Sequence, residues 1–356
     1  MKPDSGARGA AFMSKIVKTG RTPTSEDVAR LAGVSRSAVS RTFTDGASVS
    51  PKTREKVMRA ADVLGYRVNF LARSLSQQRT RLIGLVVSDM DHSLRGSLVD
   101  RLARGLVALD YRPFLLPTNP GDDVGHLIDM MLHYNVSGAI VTSDTPPSQI
   151  ADACVAHDVP LVLVNKAEVG GKVINVSMDS RKAGRMGAEV LYDAGCRSVA
   201  IASQRRASHT IGLRKKAFTA ACADLGIEIV GDFQGAIQDY AGGVEAAEAF
   251  LASGLAPDAA YCVNDYLALG FLDHIRYTAH MDVPGDLKVA ACDDIAEAGW
   301  QSYDLTTVRQ DPSAIAGAAI TALINRIDDP DLPVPPIFID VALVERNSTR
   351  AAPSSL

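Results

Sequence analysis

The sequence predicts an N-terminal all-α helix-turn-helix domain followed by an α/β domain made of two doubly wound parallel-sheet subdomains. The first observation is a change of charge: residues 1–81 carry 16 basic and 6 acidic side chains, a net charge of +10, whereas residues 82–356 carry 21 and 35, a net charge of −14. The second is a change of hydrophobic pattern, from short helical stripes to apolar runs that alternate with longer amphipathic segments. The third is the length of 356 residues, which exceeds a single hydrophobic core.

The composition is that of an ordinary globular protein, with 47% hydrophobic and 22% charged residues, which excludes collagen-like, coiled-coil and wholly disordered chains. No apolar run is long enough for a transmembrane helix, and the polar N-terminus lacks the apolar segment of a secretory signal. We therefore expect a cytoplasmic protein. Its cysteines form no CxxC pair, and we expect reduced thiols in the core. They are Cys154, Cys196, Cys222, Cys262 and Cys292.

The N-terminal region predicts a tail and three short helices. Residues 1–21 show no apolar periodicity, so we expect a disordered tail in which Met13 is an alternative start. Thr24 with Asp27 has the pattern of a helix cap and its partner at the start of the first helix. Ser35 is suited to cap the second helix. A third helix opens at Ser50-Pro51, since proline fits the first helical position, and it ends near Gly65.

Three residues in this region have the spacing of a helix-turn-helix. Ala29 is small enough to let two helices approach, Gly33 turns the chain, and Val39 closes the angle between the helices. Such a motif places the start of its second helix in the DNA major groove, and the basic charge favours a polyanionic partner. The alternative is an unrelated three-helix packing unit.

Four stretches in fixed order resemble the LacI/GalR (lactose-repressor) family of bacterial transcription regulators. They are SEDVARLAGVSRSAVSR from Ser25, VSPKTREKV from Val49, LGYR from Leu64 and NFLARSL from Asn69. The resemblance implies a DNA-binding domain, a hinge helix with its linker, and an effector-binding and dimerisation domain like the periplasmic binding proteins. The implied boundaries are a tail at 1–21, these three parts at 22–68, 69–81 and 82–350, and a tail at 351–356.

The resemblance also implies how the first domain contacts DNA. Arg36, Ser37 and Arg41 occupy the recognition-helix positions that touch bases, and Arg36 suits a bidentate contact with guanine. The family often has an uncharged residue at the position of Arg36, so the preferred operator sequence stays open. The other implied DNA-binding residues are Thr24, Ser35, Ser40, Thr53, Arg54, Asn69, Ala72, Arg73 and Leu75.

Residues 69–77 look like the hinge helix of that family. A helix of this length is marginal on its own, so we expect it to form when operator DNA and a partner subunit support it. Leu75 matches the leucine that wedges between base pairs in the minor groove and bends the site. The alternative is an exposed leucine in a linker.

From Leu82 onward the pattern predicts βαβ units and parallel sheets. The predicted strands are Leu82–Ser88, Gly138–Ser143, Pro160–Asn165, Ser198–Ser203, Ala259–Asn264 and Leu287–Cys292. The predicted helices are Leu98–Leu109, Asp179–Ala194, Leu213–Leu225, Val244–Ala252 and Tyr266–Arg276. The resembled fold has two subdomains, about 82–180 with 311–339 and about 181–310 with 340–350, with ligand in the cleft between them.

Ligand-binding residues are expected just beyond the carboxyl ends of strands. By resemblance, Asn264 and Asp293 are effector-binding positions, and Arg214 is the ligand-binding arginine of a helix. An amide, a carboxylate and a guanidinium that converge on one cleft satisfy many hydroxyls, as a sugar requires. The full candidate set is Ser88, Asn165, Arg214, Tyr240, Asn264, Asp293 and Gln310. Taken singly, the alternatives are a strand-end cap for Asn264, a turn for Asp293, and a surface ion pair of Arg214 with Asp224 or Glu228.

Two stretches depart from the family's pattern. The chain reads Asp91-His92-Ser93-Leu94 where the family has Asn-Pro-Phe followed by Phe or Tyr. Ala291-Cys292 precedes Asp293 where a glycine and an aromatic residue are usual. The sequence thus offers less for stacking a sugar, with Tyr240 and Trp300 as candidates. A sugar, a phosphorylated sugar, a sugar acid and a non-sugar metabolite all stay open as effectors.

No catalytic motif is present: the sequence has no GxSxG elbow, P-loop or HExxH, and no GxGxxG after the first strand of the second domain. We therefore expect no enzyme, no cofactor and no metal site. A ligand-binding receptor without gene control is the other alternative, and residues 24–77 argue against it. The expected protein is a homodimer that binds double-stranded DNA at a palindromic operator and binds a small carbohydrate-like effector, with no membrane partner. Repression is preferred over activation as the commoner role in the family.

Overall fold

The computed structural model describes residues 22–44, 46–67, 80–119, 122–142, 147–333 and 335–350. The chain divides into two compact units, residues 1–80 and 81–356. All five cysteines are buried free thiols. Within the described ranges, the helices are too short or too polar to cross a membrane.

The first unit contains the three helices that the sequence predicts. They are α1 (Ser25–Ala32), α2 (Arg36–Thr42) and α3 (Pro51–Leu64). Thr24 and Asp27 form a capping box at the start of α1, and Gly33 ends this helix with a left-handed φ of 65°. Ala29, Val39 and Val57, one from each helix, are buried together. The turn and the small core thus fix the angle between α1 and α2.

The second unit contains two six-stranded sheets. The first sheet has β1 (Leu82–Val87), β2 (Arg112–Pro117), β3 (Gly138–Val141), β4 (Leu161–Val164), β5 (Ile174–Met178) and β11 (Ile337–Ile339). The second has β6 (Ser198–Gln204), β7 (Glu228–Gly235), β8 (Ala259–Cys262), β9 (Lys288–Asp293), β10 (Thr306–Gln310) and β12 (Val341–Val344). The orders are β11-β5-β4-β3-β1-β2 and β12-β10-β9-β8-β6-β7. The chain therefore passes between the sheets three times.

The helices of the second unit lie between these strands in the chain. They are α4 (Ser93–Ala108), α5 (Val124–His133), α6 (Pro147–Ala156), α7 (Ser180–Asp193), α8 (His209–Leu225), α9 (Tyr240–Ala252), α10 (Asp265–Asp273) and α11 (Pro312–Asp328). A π-helical turn, His274–Thr278, continues α10, and a 3₁₀ turn covers Ala296–Gly299. In the first sheet, α4 and α11 share a core with β1, β3, β4 and β5, and α5 and α6 share another. In the second, α7 packs on α8 and α9 packs on α10.

One strand departs from the predicted parallel arrangement. The first sheet is parallel throughout, but β12 pairs antiparallel with β10 at the edge of the second. Only Asp340 separates β11 from β12, so the chain passes directly from one sheet into the other without a crossover helix. β12 therefore enters the second sheet against the direction of its neighbours.

The sequence predicts six of the twelve strands. The missed strands are β2, β5, β7, β10, β11 and β12. Several are half-exposed at sheet edges or polar: β2 contains two prolines and β5 reads INVSM. These strands lack the continuous apolar run that marks a strand buried on both faces. The helix α11 was also missed, although Asp311-Pro312 has the pattern of a helix start.

Candidate functional site

The outer face of α2 is a polar surface. Arg36, Ser37, Ser40 and Arg41 are exposed, whereas Val39 points into the core. No acidic residue lies in the first turn of this helix. The two arginines and two serines therefore give this face several hydrogen-bond donors and no carboxylate.

Four other predicted DNA contacts have hydrogen-bond partners within this unit. Ser35 caps α2 by accepting from the backbone N of Ala38 at 3.2 Å, and Thr24 takes part in the α1 capping box. Thr53 accepts from Ser50 Oγ at 2.8 Å, and Arg54 Nη1 donates to the carbonyl oxygen of Thr42 at 2.9 Å. These side chains hold the helices in place. The predicted hinge residues lie outside the described residues: Asn69, Ala72, Arg73 and Leu75.

A cavity lies in the second unit where the carboxyl ends of strands from both sheets meet. It holds about 880 Å³ of empty space, part of it open to solvent. Thr142 and Asn165 border it from the first sheet, and Asn264, Asp293 and Gln310 border it from the second. This is the position in which open α/β sheets bind ligands.

Five of the seven predicted effector residues border this cavity: Asn165, Arg214, Asn264, Asp293 and Gln310. Ser88 lies next to it, where its hydroxyl accepts from Arg95 Nη1 at 3.1 Å. The structure does not bring Tyr240 or Trp300 to the cavity. Tyr240 is 45% exposed and donates its hydroxyl to Asp273 at 2.9 Å, because it opens α9 on the outer surface. Trp300 is 55% exposed.

A buried ion pair forms the floor of the cavity. Asp293 Oδ1 accepts from Arg214 Nη2 at 3.0 Å and from Gln310 Nε2 at 2.8 Å. Arg214 Nη1 also donates to the carbonyl oxygen of Val263 at 2.5 Å. The surface pairing of Arg214 with Asp224 or Glu228 is therefore wrong. Burial raises the pKa of Asp293, and the Arg214 guanidinium opposes this shift.

The position of Arg214 follows from how α7 and α8 pack. Gly184 on α7 lies so close to α8 that an added Cβ would collide with the carbonyl oxygen of Arg214. This close approach seats α8 against the second sheet. Met178 at the end of β5 contacts the guanidinium through its sulfur atom at 3.0 Å. The arginine thus reaches the junction of the two sheets from a helix that is closely packed on its neighbour.

Asn264 is both a helix cap and a cavity residue. Its Oδ1 accepts from the backbone N of Leu267 at 3.0 Å, and its Nδ2 donates to the carbonyl oxygen of Gln238 at 3.2 Å. Asn165 has a left-handed φ of 55°, and its Oδ1 accepts from the backbone N of Met178 at 2.9 Å. Both amides are therefore held in fixed orientations at the cavity wall.

The two subdomains touch at the rim of the cavity through a group that we call the latch: His92, Ser93, Tyr266 and Glu297. The hydroxyl of Ser93 lies 2.8 Å from that of Tyr266 and donates to Glu297 Oε2 at 2.8 Å. The backbone N of Ser93 donates to the same tyrosine hydroxyl. The rings of His92 and Tyr266 stack with centroids 4.4 Å apart. At the cavity itself, Asn165 Nδ2 donates to Gln310 Oε1 at 3.4 Å, which adds a second bridge.

Sequence reasoning missed several cavity residues. Lys166 borders the cavity and directly follows the predicted residue Asn165, so its position at a strand end could have been predicted from the sequence. The latch residues His92 and Ser93 lie in the stretch that departs from the family's pattern, and Arg95 follows it directly. Buried Asp265 follows Asn264, accepts from Thr307 Oγ1 at 2.6 Å, and has a pKa raised to about 7 by burial and by nearby Asp293. No sequence signal marks that environment.

The chain combines a helix-turn-helix unit with a two-sheet domain that has a cleft. This combination is typical of DNA-binding regulators with a periplasmic-binding-protein-like domain. Residues 24–69 match the family model described as "Bacterial regulatory proteins, lacI family", and residues 188–349 match that of a "Periplasmic binding protein-like domain". The HTH-type transcriptional regulator GalS of Salmonella typhimurium is 30% identical over 300 residues, 83% of this chain and 87% of that protein. The chain belongs to the lacI family of bacterial regulatory proteins.

Other comparisons agree in sequence and in fold. The ribose operon repressor of Escherichia coli (strain K12) is 29% identical over 336 residues, 91% of this chain and 99% of that protein. The crystal structure of the Lac repressor dimer bound to operator and an anti-inducer superimposes with a TM-score of 0.82 at 24% identity, covering 93% of this chain and all of that one. A complex of the regulator CelR with cellobiose has a TM-score of 0.69 at 25% identity, covering 92% and 99%.

Proposed function

We propose that this protein is a transcriptional repressor that binds a palindromic operator as a homodimer and responds to a small carbohydrate-like effector in the cleft. The observation that carries the proposal is the cavity at the strand ends of both sheets, floored by Arg214, Asp293 and Gln310. Two relatives that are named as repressors support repression over activation. Because the chain belongs to a family of regulators, we propose that it acts by binding DNA and effector and catalyses no reaction.

The exposed side chains of α2 read the operator. Arg36 and Arg41 extend from the start and the end of the helix, and two exposed hydroxyl residues lie between them, Ser37 and Ser40. An arginine that contacts guanine O6 and N7 discriminates by about 1–3 kcal/mol. Ser35, Thr53 and Arg54 stay proposed as phosphate contacts, because Ser35 and Arg54 are exposed and Thr53 is half-buried, and each side chain has hydrogen-bonding capacity beyond the bond it makes within the unit.

The hinge stays a prediction from the sequence. We expect Leu75→Ala to lower specific operator affinity by roughly tenfold, because an intercalating side chain repays the unstacking of a base step with a bent, better-covered site. Non-specific affinity should stay unchanged, since it depends on phosphate contacts. Filter binding with operator and with scrambled DNA measures both, and an unaltered specific affinity would remove Leu75 from the mechanism.

An exposed aromatic surface supports the homodimer. Tyr277 is 71% exposed and Trp300 is 55% exposed. In addition, the hydroxyls of Tyr240 and Tyr303 both donate to one carboxylate oxygen of Asp273, at 2.9 and 3.0 Å. Exposed aromatic residues are enriched at protein interfaces, and a two-fold axis beside these residues would join two copies by the same surface. A related protein, the Lac repressor, is described as a dimer on its operator.

The two sheets supply the means of coupling. A ligand in the cavity touches both subdomains, so it favours the arrangement in which the latch is closed. A change in that arrangement alters the spacing of the two DNA-binding units in a dimer. A coupling of about 1–3 kcal/mol corresponds to a roughly 5–150-fold change in operator affinity.

Selection of genomic fragments by the purified full-length protein tests this proposal. The selection is run near physiological salt, because low salt inflates the non-specific term. We expect enrichment of one pseudo-palindrome by the wild-type protein and its loss in the Arg36→Ala/Arg41→Ala variant. Indiscriminate recovery by both proteins would contradict the proposal.

A further inference from the structure

We infer that the effector is a deoxy sugar, a small polyhydroxyl molecule with one end free of hydroxyl groups. The inference rests on the proposed function, since it names the ligand class of the same cavity. It follows from a difference between two parts of the cavity wall. The strand ends of the second sheet and the start of α8 supply polar groups, whereas α4, α11 and the end of β4 supply aliphatic side chains.

The aliphatic part of the wall comes from elements that pack side by side. Leu98 of α4, Ile315 of α11 and Val164 of β4 share one buried core. We call the aliphatic side chains that border the cavity here the aliphatic wall: Leu94, Leu98, Val164, Pro312 and Ile315. None of them can donate or accept a hydrogen bond. Arg95, which lies between the two leucines on α4, pairs with Asp89 on the loop after β1.

The backbone N–H groups at the start of α11 are taken up within the described chain. Pro312 has no N–H group. Asp311 Oδ1 accepts from the backbone N of Ser313 at 2.7 Å and from that of Ala314 at 3.2 Å. The backbone N of Ile315 donates to the carbonyl oxygen of Asp311 at 3.0 Å. A ligand hydroxyl placed against the aliphatic wall would therefore leave water without gaining a partner there, which costs free energy.

The start of α8 is the opposite case. Ser208 precedes this helix without forming a side-chain capping bond, and it borders the cavity. Further along α8, Arg214 is buried at the cavity with an Nε that has no hydrogen-bond partner within the described part of the chain. Together with Asp293 and the amides of Gln238 and Asn264, these groups offer donors and acceptors to several ligand hydroxyls.

The rings at the cavity do not offer a free flat surface to a fully hydroxylated sugar. Among the described lining residues the rings belong to His92 and Tyr266, which stack on each other with centroids 4.4 Å apart. A flat ring can cover the C–H face of a sugar whose hydroxyls point outward from its edge, whereas branched aliphatic side chains fit a methyl or methylene group. The cavity thus binds one end of its ligand by hydrogen bonds and the other by contact with the aliphatic wall.

Matched sugar pairs test the ligand class. Calorimetry with the full-length protein pairs each 6-deoxyhexose with the hexose of the same configuration, as in L-rhamnose with L-mannose and L-fucose with L-galactose, and pairs 5-deoxyribose with ribose. The tightest ligand should be a deoxy sugar and should bind about tenfold or more tightly than its parent, because the extra hydroxyl of the parent would lack a partner. A parent that binds as tightly, or no binding by any deoxy sugar, would overturn the inference.

A substitution in the aliphatic wall ties this preference to the cavity. Leu94 is half-buried, so Leu94→Asn should fold and should offer a partner to a ligand hydroxyl. The preference should then fall to roughly threefold or less. Leu94→Met keeps an aliphatic side chain of similar volume and should retain the preference.

Val155→Asn is the matched control, because Val155 is an exposed aliphatic residue on α6 that lies outside the cavity lining. The preference for the deoxy sugar should be unchanged in this variant. An undiminished preference in Leu94→Asn, or an equal loss in Val155→Asn, would overturn the inference.

Two variants of nearly equal volume repeat the test on α11. Ile315→Val and Ile315→Thr differ in that threonine carries a hydroxyl where valine has a methyl group. The deoxy preference should persist in the valine variant and weaken in the threonine variant, with denaturant unfolding to show that both are folded. A preference that is the same in both would contradict the assignment of the aliphatic wall.

Fragment selection with the same preparation reports the proposed function separately. Operator enrichment by a protein that prefers hydroxylated parents would refute this inference and leave the regulator standing. A deoxy preference without operator enrichment would support the ligand class and refute the regulator.

Discussion

The two units of this protein differ in how their functional residues are brought together. In the first unit, Arg36 and Arg41 lie on one seven-residue helix, capped by the adjacent Ser35. In the second, Arg214 comes from helix α8, Asp293 from strand β9 and Gln310 from strand β10, so they meet only after the second sheet and its helix have packed together. The DNA-binding surface is therefore local in sequence, whereas the ligand cavity depends on the whole unit. Changes to one should leave the other intact.

The largest expected effect comes from breaking the floor of the cavity. Arg214→Ala leaves the Asp293 carboxylate buried without its cation, so the free energy of unfolding should fall by about 3–5 kcal/mol and effector binding should be lost. Operator binding without effector should persist. Calorimetry measures effector binding and a gel-shift assay measures operator binding. Loss of both activities in a folded variant would contradict the independence of the cavity and the DNA-binding surface.

A double variant keeps this test informative if the single variant unfolds. Arg214→Met/Asp293→Asn removes both charges at similar volume, so most of the stability should return while effector binding stays lost. Denaturant unfolding reports the first result and calorimetry the second. Recovered ligand binding would show that the ion pair holds the fold and takes no part in recognition.

The converse experiment changes the first unit alone. Arg36→Ala should weaken specific operator binding by about 1–3 kcal/mol, roughly 5–150-fold, with no change in effector affinity. Arg59→Ala is the matched control, since this exposed arginine on α3 pairs with Glu55 on the same helix. Equal losses in the two variants would indicate a general charge effect in place of base reading.

The buried carboxylate Asp265 gives a pH-dependent test of the second unit. Its pKa is raised to about 7 in the folded protein, so the folded state holds this proton more tightly than the unfolded state. Between about pH 4 and pH 7 its contribution to stability falls as the pH rises, by at most about 1.4 kcal/mol per pH unit. In denaturant unfolding, Asp265→Asn should reduce the dependence of the free energy of unfolding on pH. Parallel plots of that free energy against pH for the wild-type protein and the variant would show that Asp265 does not cause the dependence.

The smallest expected effect concerns the latch. Ser93→Ala removes the hydroxyl bonds to Tyr266 and Glu297, worth about 0.5–1.5 kcal/mol, so the closed arrangement should be less populated. Effector affinity should fall by about two- to tenfold. Ser97→Ala is the control, because Ser97 lies on the same helix and accepts from Arg101 of that helix. Identical effector affinities of the two variants, measured by calorimetry, would show that the latch does not contribute to closure of the cleft.

The same difference explains what the sequence could predict. The caps at Thr24 and Ser35 and the turn at Gly33 depend on near neighbours, so the helices of the first unit were predictable to within a residue or two. The positions of Asn264 and Asp293 at the cavity were predicted from the family resemblance and from the location of both residues at strand ends. The misplacement of Tyr240 arose because an aromatic residue at a helix start does not show which face it takes.

Other features had no local signal. The latch joins Ser93 to residues 173 and 204 positions away along the chain, and no periodicity encodes such a pairing. The raised pKa of Asp265, the first residue of helix α10, depends on burial and on Asp293, which lies at the end of strand β9. Strand β12 was missed because a four-residue edge strand, half exposed, has too weak a pattern. These features follow from packing and became visible only in the folded unit.

The most direct test of the account is the operator affinity of the full-length protein with and without the ligand that stabilises it most. The affinity is measured on the fragment enriched from the genome, for the wild-type protein and for Arg214→Met/Asp293→Asn. The account predicts a roughly 5–150-fold change in the wild-type protein and none in the variant. A ligand that binds the cavity without changing operator affinity, or a change that survives in the variant, would contradict it.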